Sequence, residues 1–243
     1  MLISDPRALK EALRRSRRLI RMGASAEVAD IIIDSLHEGA EAPPRAAVSL
    51  VIGGCARAGK SLLAQRLAAE LDHVFLAGDM LRDLYRIPEV PAERNRLRQQ
   101  FMLRILRGFR GGLIVEGADL VMRDNVRNGS RRPSLELLRR IRREGLAEVT
   151  VAGNADTSVA DKVRALEAWR ATGNCWTTGA AHAERYAEPA ALEKLARGTI
   201  ERSRVLREKA EAADIPYLEI RPDAFEADIA THLTTLRARL APG

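Results

Sequence analysis

Between residues 48 and 220 short apolar runs alternate with longer stretches of helical periodicity. The runs cover 48–52, 73–77, 113–115, 148–152 and 216–220, and each has the length of a strand buried on both faces. After the first run, Leu62, Leu63, Leu67 and Leu71 supply one apolar stripe. After Pro133, Leu135, Leu138 and Ile141 supply another. Five strands joined by helices predict an α/β fold of three layers, with a parallel sheet of five strands covered on both faces. Ligands of such sheets gather at the carboxyl ends of the strands, so the residues that close each run become the candidates for chemistry.

The chain ahead of this pattern reads as a small helical extension over residues 1–42, leaving 43–243 as the main domain. Asp5 suits a cap, Pro6 suits a first helical position, and Leu9, Leu13 and Ile20 recur at helical spacing up to Gly23. A second helix starts at Ser25, with Val28, Ile31, Ile32 and Leu36 as its stripe, and ends at Gly39. Ala42-Pro43-Pro44-Arg45 then forms a stiff linker. Arg14, Arg15, Arg17, Arg18 and Arg21 make the first helix basic, which suits a solvated face or a phosphate contact. Neither an internal repeat nor a low-complexity tract is visible.

The first apolar run leads directly into residues 54–61, GCARAGKS, a complete GxxxxGK[ST] phosphate-binding loop. Gly54, Cys55, Ala56, Arg57, Ala58 and Gly59 supply a backbone whose N–H groups turn inward on phosphates. Lys60 reaches the β and γ phosphates, Ser61 ligates Mg²⁺, and Leu62 lies in the first helical turn, whose dipole favours the same anion. Arg57 can project toward the acceptor or stand in solvent. Strand, loop and helix together predict binding of a nucleoside triphosphate with Mg²⁺.

The second run ends in Leu76-Ala77-Gly78-Asp79-Met80-Leu81-Arg82. Asp79 there can accept the proton of an attacking hydroxyl or hold the Mg²⁺ shell, and it also suits the N-cap of a helix over 80–85. Arg82, one turn later, can hold an acceptor's anionic group. The third run closes on Glu116-Gly117 and has the shape of a Walker B strand, which sets the Glu116 carboxylate beside Ser61 and the metal. Among the arginines that follow, Arg123 lies nearest the strand end and is the candidate to meet substrate. Arg139, Arg140, Arg142 and Arg143 fit a solvated helix face. Residues 153–186 form a lid-like excursion, in which Arg170 is the candidate to close over the γ phosphate while Trp169 and Trp176 pack the excursion itself. His182 lacks a partner at ligand spacing, and Arg202 and Arg204 on the following helix can also point into the cleft.

Composition narrows the partners. The 243 residues are 46% hydrophobic but only 4% aromatic, so a core of Leu, Ile, Val and Ala is expected, and base-stacking surfaces are not. That disfavours nucleic acid as a partner. The net charge of +7, carried mostly by arginine, suits an anionic substrate. Two cysteines, Cys55 and Cys175, make neither a disulfide framework nor a metal cluster. No apolar stretch reaches membrane-spanning length, and the N-terminus lacks a signal peptide's apolar core, so a cytoplasmic protein with no membrane partner is expected.

GCARAGKS, LAGDMLR, LIVEG and TIERSRVLREKAEAADIPYLEI together resemble the P-loop kinase superfamily, in the branch related to nucleoside monophosphate kinases, from about residue 48 to the C-terminus. The GDMLR segment resembles the acceptor-site segment of adenylate kinase, but Glu116-Gly117-Ala118-Asp119 stands where that family carries a GFPR-type segment. Asp79-x-x-Arg82, Glu116-Gly117 and the IPYLEI strand are similar to 2-phosphoglycerate kinase-like proteins. The stretch from Arg15 to Leu36 is similar, in its Ser, Gly and Ala/Ile positions, to the ATP-cone-like helices that some of these carry. The resemblance implies a P-loop fold, Lys60 and Ser61 as ATP and Mg²⁺ residues, Asp79 as the acid that activates the acceptor, and Glu116 as the metal-side acid. It implies an ATP-dependent kinase acting on a hydroxyl of a small, anionic metabolite. A nucleoside monophosphate kinase and a regulatory ATPase module are the alternatives. The acceptor's identity, the choice of ATP over GTP and the oligomeric state stay open.

Overall fold

The structure is a computed structural model and describes residues 25–37, 47–81, 84, 88–109, 111–128, 130–171 and 188–241. Arg82, the helix expected before Gly23 and the excursion beyond residue 171 lie outside the described residues.

Strand β1 (Leu50–Gly54) is buried throughout. It pairs in parallel with β3 (Leu113–Gly117) on one side and β6 (Glu148–Gly153) on the other. The edges are β2 (Val74–Ala77) and β7 (Tyr217–Glu219), giving a five-stranded parallel sheet in the order β2-β3-β1-β6-β7. Alternation along β1 and β3 divides the core. Leu50, Ile52 and Ile114 pack with α2 (Lys60–Leu71) and α7 (Phe225–Leu240). Val51, Val115 and Val149 face the opposite layer of α1 (Ser25–His37), α3 (Pro91–Gly108), α4 (Glu136–Arg143) and α6 (Pro189–Glu211). The result is the expected three-layer α/β fold. Helix α1 shares this core through Val28 and Ile32, and its Asp30 pairs with Arg104 of α3 at 2.6 Å. Helix α5 (Val159–Ala171) stands further out and joins α6 in a small third cluster around Leu166, Leu192 and Ala196.

Two local differences from the sequence expectation matter for the site. The expected helix over 80–85 opens as a 3₁₀ turn, Gly78–Leu81, that packs against a second 3₁₀ turn, Ala118–Val121. The arginine-bearing stretch after the third strand contains an antiparallel pair, β4 (Met122–Asp124) with β5 (Arg131–Pro133), too short for any periodicity to reveal. Among the described residues no helix is long and apolar enough to cross a membrane.

Candidate active site

Gly54 ends β1 at φ 145°, where an added Cβ would lie 2.0 Å from the Ala152 carbonyl oxygen, so the loop leaves the sheet at a position only glycine fits. The next N–H, that of Cys55, donates to the same carbonyl at 3.2 Å. Arg57 and Gly59 both adopt left-handed φ, 61° and 81°, curling residues 54–61 back over the head of α2. Gly59 precedes α2 without a side-chain cap, so the first-turn N–H groups of Lys60, Ser61 and Leu62 have no side-chain oxygen competing for them. Cys55 and Ala58 are buried, while Ala56 is exposed.

The register fixes the acid beside the loop. Ile52 pairs with Glu116, and Glu116 projects on the same face of β3 as Ile114, the α2 side. The Ser61 hydroxyl donates to Glu116 Oε1 at 3.0 Å. Lys60, 4% exposed, donates to the Cys55 carbonyl at 2.7 Å, and its Nζ stands 4.0 Å from Glu116 Oε2. A half-buried hydroxyl thus shares one corner with a buried carboxylate and a buried ammonium. Mg²⁺ takes oxygen ligands and is held by one or two protein groups plus phosphates and water, and the Ser61–Glu116 oxygens suit that role. No cluster of three or more His, Cys, Asp or Glu occurs among the described residues. Asp79 follows β2 in the first turn of its 3₁₀ segment, half-buried. Ala77 pairs with Glu116, and a Cβ at Gly117 would lie 3.6 Å from the Asp79 nitrogen, so the ends of β2 and β3 bring Asp79 and Glu116 to one rim of the sheet.

The remaining candidates separate. Arg123 lies on β4, bound to Glu136, and lines a different cavity from the one over the loop. Arg170 is half-buried in the last turn of α5. Arg204 donates to the Ala155 carbonyl at 3.0 Å.

A cavity of about 460 Å³ lies above the loop, and beyond the loop residues its walls include groups to which sequence reasoning gave no role at the phosphates. Lys162 of α5 is 2% exposed, and its Nζ donates to the Arg57 carbonyl and to Asn154 Oδ1, both at 2.6 Å. Burial pushes its ammonium down to about 8. Asn154, the first residue beyond β6, also donates through its side chain to the Ile220 carbonyl, tying the ends of β6 and β7. The Arg57 guanidinium stands 3.6 Å over the Trp169 ring. Leu166, Ile220, Pro222 and Phe225 complete an apolar wall. Asn154 was within reach of the strand-end rule and Lys162 lies in the excursion expected over the phosphates, whereas Phe225 comes from a segment that only the tertiary fold brings to the loop.

A second network closes the end of β3. Asp119 pairs with Arg131 at 2.7 Å. Asp124 draws Arg94 at 3.3 Å, Arg98 at 3.5 Å and Arg131 at 3.6 Å. Among the described residues three guanidiniums meet two carboxylates here, and Arg131, whose side chain is 32% exposed, lies nearest to solvent.

No protein-family model and no curated protein matches this chain. Among solved structures it is similar to shikimate kinase from Bacteroides thetaiotaomicron, at 15% identity and a TM-score of 0.48, over 79% of this chain and 98% of that one. It is similar to a gluconokinase from Sinorhizobium meliloti 1021 at 16% and 0.43, over 81% and 97%. A chain of the PezAT chromosomal toxin-antitoxin system of Streptococcus pneumoniae aligns at 14% and 0.39, over 99% and 100%. Likenesses this distant say nothing of substrate. The chain's own GCARAGKS loop, its parallel sheet and the Ser61–Glu116 pair make a phosphate-binding loop at the head of a three-layer α/β fold.

Proposed function

We propose that this protein is an ATP-dependent kinase that transfers the γ-phosphoryl group to a hydroxyl of a small, anionic metabolite. The observation that carries the reading is the trio at the head of α2, in which half-buried Ser61 meets buried Glu116 at 3.0 Å with buried Lys60 4.0 Å from the same carboxylate. That trio has the donor set for a metal-bound triphosphate. Mg²⁺, held by Ser61 with Glu116 alongside, would neutralise charge on the phosphate oxygens.

The chain's own groups do the rest. Lys60 gives up the Cys55 carbonyl to hold phosphate, and Arg57 and Lys162 are further cations lining the same cavity. The wall formed by Trp169, Pro222 and Phe225 takes the apolar face of the nucleotide. Asp79 accepts the proton of the acceptor hydroxyl and aligns it for attack, and Arg131 draws the acceptor's anionic group. Arg170 adds charge as the excursion closes over the phosphates.

The test is product formation. Purified protein with Mg²⁺-ATP is offered a pool of sugars, phosphoglycerates, nucleosides and nucleoside monophosphates, and mass spectrometry looks for an acceptor heavier by one phosphoryl group. Asp79→Asn is expected to keep nucleotide binding and lose transfer. Slow ATP hydrolysis with no phosphorylated acceptor would instead favour a regulatory ATPase.

A further inference from the structure

A second cavity, of about 740 Å³, lies between α3, the β4–β5 hairpin, α4 and α6, and shares no lining residue with the cavity over the phosphate loop. Arg123, Arg132, Arg139, Arg140, Arg143 and Lys209 line it, against only Glu136 and Glu144. Both carboxylates are already engaged. Glu136 accepts from Arg123 and from Gln99, and Glu144 accepts from Arg140 and Arg107. That leaves Arg132, Arg139, Arg143 and Lys209, none of which pairs with a carboxylate among the described residues.

A solvated helix face accounts for arginines on one helix, but here the cations come from separate elements. Arg132 stands on β5, Arg139 and Arg143 on α4, and Lys209 on α6, and all of them line one concavity. Arg139 and Arg143 are four residues apart on the same helix, where like charges repel unless an anion lies between them. Like charges converging in a cleft also raise the local potential that draws counter-ions. Among the described residues no aromatic side chain lines the cavity to offer a base a stacking face. What guanidinium forks without aromatics recognise is phosphate oxygen itself.

We propose that this groove is a second anion site whose ligand presents two or more linked phosphates, either a phosphodiester backbone or a free oligophosphate. The site is independent of the kinase reading, and its test disables the phosphate loop. In full-length protein carrying Lys60→Ala, binding of inorganic tripolyphosphate is measured by calorimetry, and binding of a short duplex RNA by fluorescence anisotropy, across a range of salt.

At least one probe is expected to bind. For the duplex, the double variant Arg139→Gln with Arg143→Gln is expected to weaken binding about tenfold and to lower the salt slope by about 2, near 0.9 for each lost phosphate contact. Lys209→Gln, on a different helix, is expected to weaken the same probe. Arg164→Gln with Arg197→Gln, which removes equal charge elsewhere, is expected to leave affinity unchanged. Binding of the duplex identifies a backbone site, and binding of tripolyphosphate alone identifies a site for a free oligophosphate. Failure of both probes to bind, or equal weakening by the two double variants, overturns the proposal.

Discussion

At the scale of single residues, Lys162 is held against its own charge. The fold buries its ammonium and holds its pKa at about 8 against an ordinary 10.5. Since the folded value is the lower one, the folded state carries the full cost of the charge below pH 8. That cost is relieved as pH rises from about 8 to 10.5, where the unfolded chain still binds the proton and the folded one does not. The displacement corresponds to about 3 kcal/mol, so denaturant unfolding is expected to show wild-type stability rising across that window by an amount of this order relative to Lys162→Met. Phosphate beside Nζ reverses the preference. ATP binding near pH 9 is therefore expected to take up a proton, which calorimetry in buffers of different ionisation enthalpy reads directly. Binding at that pH without proton uptake would remove Lys162 from contact with the phosphates. Glu116→Gln belongs to the same scale. Its amide keeps the shape but loses the charge beside Ser61 and Lys60, and the expected result is a steep rise in the Mg²⁺ concentration needed for turnover.

At the scale of elements, the loop depends on how β1 meets β6. A methyl at residue 54 would stand 2.0 Å from the Ala152 carbonyl, which itself accepts from Cys55, so Gly54→Ala must part the two strands at the point where the loop begins. The expected cost is roughly 3 kcal/mol together with loss of nucleotide binding, by urea titration and thermal shift. Gly145→Ala is the matched control: its φ is also positive at 63°, but nothing lies within 4 Å, so only the backbone penalty of about 1 kcal/mol should appear. Elements of this kind were readable from sequence because each announces itself locally. The apolar runs marked all five sheet strands, and GCARAGKS with LIVEG located Lys60, Ser61 and Glu116 before any coordinate. The hairpin of residues 122–133 was not, since its strands have three residues each, too few for an alternation to show. It carries Arg123 away from the loop and onto Glu136. Lys162 lay within the excursion expected over the phosphates but was given no role there, because nothing local shows that its side chain turns inward onto the Arg57 carbonyl.

At the scale of the whole molecule, the cavity over the loop is walled mainly by three distant stretches, residues 57–62, helix α5 and the segment from Ile220 to Phe225, with Asn154 at the end of β6 beside them. Helix α5 rests on α6 through a small apolar cluster apart from the two larger cores, so it is the layer least secured by its own packing. A nucleotide touching all three stretches ties α5 to the sheet, and the stabilisation follows mass action. At a hundredfold excess over Kd it amounts to about 2.7 kcal/mol, which for a chain of this length raises Tm by roughly 5–10 °C. Mg²⁺-ATP is expected to produce that rise and to slow amide exchange in α5 more than in α3, which lies over the other core. Chelating the metal should remove most of the rise, because Ser61 and Glu116 then lack the cation that joins them to the phosphates, and Lys60→Ala should abolish it. A rise that survives Lys60→Ala undiminished would mean that the triphosphate is held elsewhere, and the basic groove beside α4 is where such binding would have to be sought.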